Sequence, residues 1–268
     1  MLGYIRKSNR PYAELFLFIF SLQGCFSTAY ADKFASIIID DLGNSYEHGQ
    51  AIIDFPAPIT LAILPQTQFA SQLATQAHFS NKEVMLHLPL QSVEHHKSSP
   101  GTLKLHMTRQ QFTQQLQQNL ASVPYISGIN THMGSLLTQH PGHMDWLMAE
   151  ISSLDNIFFI DSRTSNKSVV SETATNYQIP NLVRDVFLDP DFKPETIRRQ
   201  FDQFIAISKK QGYAIAIAHP HPTTLAFLKQ NLAKLAENGI ELVSVSKLLE
   251  LRGNENHVTC TGTTCSGL

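Results

Sequence analysis

Ser36-Ile37-Ile38-Ile39-Asp40-Asp41 is a run of apolar, β-branched residues that stops on two carboxylates. Branching at Cβ favours extended backbone, and a short run with no polar alternation reads as a strand buried on both faces. The same pattern recurs at Ile59–Leu64, Glu83–Leu88, Gly128–Thr131, Phe158–Ile160, Tyr213–Ala218 and Leu242–Val245. Segments of helical period lie between these runs. Thr108-Arg109-Gln110-Gln111 has the form of a capping box and sets Phe112, Leu116 and Leu120 on one face. Pro194 suits the first turn of a helix carrying Ile197, Phe201, Phe204 and Ile205, with Gly212 as its C-terminal cap. A third helix starts near Thr223, carries Leu225, Leu228, Leu232 and Leu235, and stops at Asn238-Gly239. Strands alternating with helices predict an α/β fold around a parallel sheet.

The strand ends carry the chemistry. The first run ends in Asp40-Asp41, the third contains His87, and the fourth leads into Asn130-Thr131-His132-Met133-Gly134-Ser135. The fifth ends in Asp161-Ser162-Arg163-Thr164 and the sixth in His219-Pro220-His221-Pro222. In parallel α/β architectures the carboxyl ends of the strands share one surface, so these groups are expected to converge. Each has a plainer reading. Paired aspartates can cap a helix, a histidine in an apolar strand can be a core residue, and His219 and His221 can be turn residues set by their prolines. Arg163 and Arg184 can pair with Asp161 and Asp185 in a structural network. Together these readings require several strand ends to carry costly polar groups for unrelated reasons.

The flanks indicate export. Arg6, Lys7 and Arg10 precede the apolar run Leu15–Phe20, and the segment closes on Ala29-Tyr30-Ala31, the form of a secretory signal spanning residues 1–31. The apolar core is too short to span a membrane, and no later run is long enough. A periplasmic location is therefore expected. Leu22-Gln23-Gly24-Cys25 resembles a lipoprotein attachment box and keeps lipid anchoring through Cys25 as a second reading. Residues 32–252 would form one domain and residues 253–268 a polar tail, in which Cys260 and Cys265 can close a small disulfide loop in an oxidising compartment. With 20 basic against 22 acidic side chains and no basic patch interleaved with aromatics, nucleic acid is not an expected partner. The single tryptophan, Trp146, sits beside Leu147 and Met148 at a spacing that suits core packing.

Ile38–Gly43, Leu86-His87-Leu88-Pro89, Gly128–Ser135, Phe159–Thr164 and Ala218–Pro222, taken in this order, resemble the divergent polysaccharide deacetylase family. The resemblance runs from about Phe34 to about Leu249 and implies a distorted (β/α) barrel of about seven parallel strands. It also implies kinship with metal-dependent esterases that remove acetyl groups from glycans. By that likeness Asp40 is the expected general base and Asp41 a metal ligand. Relatives place two histidine ligands in one H-x-x-x-H segment, whereas here position four after His87 is Gln91. The second imidazole must come from another strand end, with His132 the choice and His219 and His221 its rivals. The relatives' Leu-x-His-Asp ending is replaced by His219-Pro220-His221, so the catalytic acid falls to His219 or His221. Asp161 is expected to orient that histidine, and Arg163 to hold a carboxylate or the base itself.

One carboxylate and two imidazoles suit a divalent ion with an open position for water, zinc being the expected metal and cobalt, nickel or iron fitting the same donors. The expected substrate is an acetylated cell-envelope glycan or a smaller acetylated amide or ester. A different class remains open: a non-catalytic envelope binding or scaffolding protein that keeps the barrel and its metal site.

Overall fold

The computed structural model describes residues 33–94 and 98–258, together with Met1 and Gly3. The body of the expected signal segment, Cys25, Cys260 and Cys265 lie outside the described residues. Strands and helices alternate in chain order as β1 (Lys33–Leu42), α1 (Tyr46–Ile53), β2 (Thr60–Ile63), α2 (Ala70–Phe79), β3 (Val84–Leu90), α3 (Arg109–Ser122) and β4 (Gly128–Met133). They continue as α4 (Pro141–Ile151), β5 (Phe158–Asp161), α5 (Val170–Asn176), β6 (Asn181–Val183), β7 (Val186–Phe187), α6 (Pro194–Gln211) and β8 (Tyr213–Ala218). The chain closes with α7 (Pro222–Asn231), α8 (Ala233–Glu237), β9 (Ile240–Leu242) and α9 (Val245–Val258).

The strands form one parallel sheet in the order β6-β5-β4-β3-β2-β1-β8-β7, with β9 added to the start of β1. Its two edges belong to one short stretch of chain. β6 pairs with β5, β7 pairs with β8, and only Arg184 and Asp185 separate them. Arg184 N–H donates to the Asp161 carbonyl at 3.0 Å and Asp185 N–H to the Ile215 carbonyl at 2.9 Å. Residues 181–187 thus bridge the edges and curl the sheet into the distorted barrel that the family resemblance implies. β6 and β7 escape sequence reading because three and two residues are too few to show a period.

Alternation along each strand divides the apolar side chains between two layers. Ala35, Ile37, Ile39, Leu86, Ile129, Phe159, Ala214 and Ala216 face the helices and pack with Leu73, Phe112, Met148, Phe201 and Phe204. Phe34, Ile38, Met85, Phe158, Ile160, Ile215 and Ile217 fill the barrel interior with Val243, Val245 and Leu248. These last three come from the chain's final turns, which close the barrel at the amino ends of its strands. There Glu83 caps α9, accepting from Val245 N–H at 2.7 Å, Ser246 N–H at 3.0 Å and the Thr60 hydroxyl at 2.8 Å.

Helix boundaries follow the sequence closely. The Thr108/Gln111 capping box forms in both directions, Pro194 opens α6, and Gly212 closes it in the left-handed conformation at φ 85°. Trp146 packs against Phe112 and His143, as a core residue should. Three expectations need correction. The helix from Thr223 is broken at Leu232 into α7 and α8. The last strand is Ile240–Leu242, earlier than expected, because it pairs with Lys33–Ala35 while Val243 and Val245 turn into the interior. The boundary at residue 252 falls inside α9, which continues to Val258. Among the described residues no helix is long and apolar enough to cross a membrane.

Candidate metal and acid–base site

The interior row of each strand continues past the apolar plug in steps of two. Ile38 leads to Asp40, Met85 to His87, Gly128 through Asn130 to His132, Ile160 to Ser162, and Ile217 to His219. A row of this kind can place only one of two adjacent aspartates inside the barrel. β1 resolves the conflict with an irregularity: Ile39 pairs with Leu61 and Leu42 with Ile63, so three steps on β1 oppose two on β2. A bulge inserts a residue and re-aims its side chain. Asp41 occupies it at φ 60°, and both carboxylates turn toward the same cleft. Met133 and Arg163, at the ends of β4 and just after β5, are also left-handed, at φ 56° and 51°. Such backbone costs roughly 1–3 kcal/mol per residue and persists where its surroundings over-determine it. After Met133, Gly134 at φ 85° lets the chain pass against Leu90 and Thr138.

Three donor atoms from three strands meet at the centre. Asp41 Oδ1 lies 3.2 Å from His87 Nε2 and 2.9 Å from His132 Nδ1, and the two nitrogens are 3.1 Å apart. A tetrahedral ion with bonds of about 2.0–2.1 Å sets its ligand atoms about 3.3 Å apart, so the triangle fits one face of such a site. Asp41 Oδ1 is buried with no partner other than these two imidazole nitrogens, and the Thr131 hydroxyl in the lining of the same cleft is buried without a hydrogen bond. Buried polar atoms in this condition call for an ion or a water. The tautomer of His87 agrees. The Asp40 carboxylate only accepts, so Asn130 presents Nδ2 to Asp40 Oδ1 at 2.7 Å and Oδ1 to His87 Nδ1 at 2.8 Å. A proton on Nδ1 leaves the Nε2 lone pair of the neutral ring aimed at the centre.

The neighbouring carboxylates are driven apart. Burial lifts Asp40 above the usual carboxylate range, although His87, Asn130 and His219 pull it back. Asp41 is also raised by burial, but the imidazoles of His132 and His87 hold it well below that range. Burial disfavours a charged His87, yet Asp40 and Asp41 outweigh it and push the ring up to about 9. One basic carboxyl beside one strongly acidic carboxyl is the arrangement expected of a proton acceptor next to a ligand.

His219 stands on the far side, its Nε2 3.7 Å from Asp41 Oδ2. Asp189 holds it. Asp189 Oδ1 is 3.0 Å from His219 Nδ1, while Oδ2 accepts from His219 N–H and the Thr224 hydroxyl, each at 2.8 Å. Burial lowers the His219 pKa, but Asp189, Asp41 and Asp40 overcome it and leave the ring raised. Sequence reading assigned this orienting role to Asp161, and strand alternation overturns it. Asp161 points toward the helices, where it accepts from Arg163 N–H at 2.8 Å and the Ser168 hydroxyl at 2.8 Å. Val186-Phe187-Leu188-Asp189 repeats the apolar-run-then-acid pattern of β1, so the signal for Asp189 was present.

Two further expectations change. His221 leaves the cleft to cap α7, accepting from Thr223 N–H at 3.3 Å, and its ring stacks on Phe192. It is neither a rival ligand nor the acid. Arg163 lines the cleft but forms no ion pair with Asp40 among the described residues, and Asn130 fixes that carboxylate instead. The cleft encloses about 420 Å³, with Phe187 and Ile217 as its apolar side and Ser162, Arg163, Thr164 and Arg184 opposite the carboxylate–imidazole cluster.

The family model described as divergent polysaccharide deacetylase matches residues 37–249. An uncharacterized protein of Haemophilus influenzae is 34% identical over 230 residues, covering 86% of this chain and 81% of its own. The crystal structure of an uncharacterized protein from Agrobacterium tumefaciens C58 superposes with TM-score 0.76 at 23% identity, over 81% of this chain and 89% of that one. The structure of a peptidoglycan deacetylase from Bacillus subtilis superposes with TM-score 0.50 at 12% identity, over 86% and 98%.

Proposed function

The chain belongs to the divergent polysaccharide deacetylase family, and we propose that it is a metal-dependent hydrolase that removes acetyl groups from an amino sugar or sugar ester of the cell envelope. One observation carries this reading. Asp41 Oδ1, His87 Nε2 and His132 Nδ1 converge to within 3.2 Å of one another, and Asp41 Oδ1 is buried with no partner besides those two nitrogens. Zinc suits one carboxylate with two imidazoles. A divalent ion held there would supply Lewis-acid activation of water and of the acyl carbonyl.

The remaining chemistry belongs to side chains. Asp40, made more basic by burial and kept in place by Asn130, accepts the proton of the attacking water. His219, kept protonated toward neutral pH by Asp189 and the two cleft aspartates, gives a proton to the departing nitrogen or oxygen. Asp189 is a positioning residue: it fixes the ring so that Nε2 faces the centre. Phe187 and Ile217 offer a dry surface suited to an acyl methyl group. The N-terminal segment supports action in the periplasm, and the mature chain is expected to begin after Ala31.

Elemental analysis of the purified mature protein tests the centre, run beside Asp41→Ala and His132→Ala. About one metal ion per wild-type chain, absent from both variants, is expected. Release of acetate from N-acetylated or O-acetylated sugars by the loaded protein is the companion assay. A wild-type protein that takes up no zinc would remove this mechanism and leave glycan binding or scaffolding as the better account.

A further inference from the structure

The wall opposite the carboxylate–imidazole cluster carries two guanidinium groups that the chemistry above does not use. Arg163 is exposed at the cleft mouth, and its side chain forms no hydrogen bond or ion pair among the described residues. Its backbone is held firmly. Asp161 Oδ1 accepts from its N–H at 2.8 Å, and its carbonyl accepts from Arg184 Nη2 at 3.3 Å. Ser168 in turn anchors Asp161 Oδ2 at 2.8 Å. This bracing keeps Arg163 left-handed at φ 51°, a conformation that a long side chain seldom adopts without support.

Arg184 is half-buried beside it. Its Nε donates to the Ser162 carbonyl at 2.7 Å, and its guanidinium lies 5.3 Å from the centre of the Phe187 ring. It too lacks an ion pair among the described residues. Burial holds it below its usual pKa and the nearby Arg163 adds to the effect, against the pull of Asp40, Asp161 and Asp185. The acids lining the cleft are Asp40 and Asp41, and both face imidazoles. A fold that holds a left-handed residue's guanidinium at a cleft mouth, next to a second one, with no carboxylate in ion-pair contact with either among the described residues, presents half of an oxyanion clamp.

We propose that Arg163, backed by Arg184, binds an anionic substituent, a carboxylate or a phosphate, on the acetylated sugar that the cleft takes. The inference rests on the sugar-hydrolase reading and narrows it to acidic sugars. Planar guanidinium forks match both oxyanions, so the chemistry is shared and the source of the anion is left to the probes.

The test is calorimetric binding to the zinc-loaded full mature protein with three probes: N-acetylmuramic acid, N-acetylglucosamine 6-phosphate and neutral N-acetylglucosamine. Wild type is compared with Arg163→Asn, which tolerates left-handed backbone, and with Arg163→Lys, which keeps the charge. One acidic sugar is expected to bind about tenfold more tightly than the neutral one. That margin should be lost in Arg163→Asn, partly kept in Arg163→Lys, and reduced by salt. Preference for the muramic acid identifies a carboxylate, and preference for the phosphate ester a phosphate. Equal affinity for all three probes, or a preference that survives in Arg163→Asn, overturns the inference while leaving the hydrolase reading intact. Failure of every sugar to bind wild type overturns the sugar-site reading, and the inference falls with it.

Discussion

The two ends of the barrel hold similar polar groups and treat them in opposite ways. At the amino ends Glu83 has every role filled, with two backbone N–H groups of α9 and the Thr60 hydroxyl on its two oxygens. At the carboxyl ends Asp41 Oδ1 is buried with only two imidazole nitrogens facing it, and the Thr131 hydroxyl is buried without a hydrogen-bond partner. Both ends desolvate polar atoms, but only the first recovers the cost within the chain. Full satisfaction marks a structural group, and convergence without satisfaction marks a site that waits for something else.

Substitutions should separate the two ends clearly. Asp40→Asn removes the proton acceptor while Asn130 can still donate to the new amide oxygen, so acetate release should fall by about 10²–10⁴ with metal content unchanged. Asp189→Asn should lower turnover by roughly 10–100-fold, because His219 loses its orienting carboxylate. The same change lowers the His219 pKa, and the alkaline limb of the kcat/KM profile should move to lower pH. An unshifted limb would show that Asp189 does not govern this ring.

Stability gives the smaller contrasts. The folded-state pKa of His87, about 9 against an ordinary 6.5, is raised in the protein without metal. Its contribution is therefore complete below about pH 6.5 and disappears as pH rises through about 9. Melting of metal-free protein should show this loss, and zinc should remove or reverse it, since a ligand imidazole must be neutral. Glu83→Ala, at the opposite end, should cost about 1–3 kcal/mol and leave zinc binding unchanged. Loss of zinc in that variant would deny the separation between the two ends.

Much of the fold is legible in order of residues. Seven β-branched or apolar runs, a capping box at Thr108 and a cap at Gly212 announce an α/β fold around a parallel sheet before any contact is known, and the family resemblance adds the barrel. Asp40, Asp41, His87, His132 and His219 stand out as strand-end polar groups, and the structure gathers all five around one cleft. The less legible positions fail for two reasons. Asp161 sits on the outward step of its strand, and His221 lies beyond the end of β8 as the cap of α7, so position near a strand end was not enough to bring them inside.

The amino-acid order by itself determined which segments are extended, which are helical and which end in ionisable groups, because these depend on local sterics and hydrophobic period. Tertiary structure alone decided which of those groups face one another. The bulge at Asp41 turns two successive carboxylates inward, the bridge formed by residues 181–187 carries the chain across both sheet edges toward Asp189, and Asn130 on β4 links His87 on β3 to Asp40 on β1 across the barrel interior. Each outcome depends on register and closure, which arise from pairings between distant residues and leave no mark in a short window of sequence.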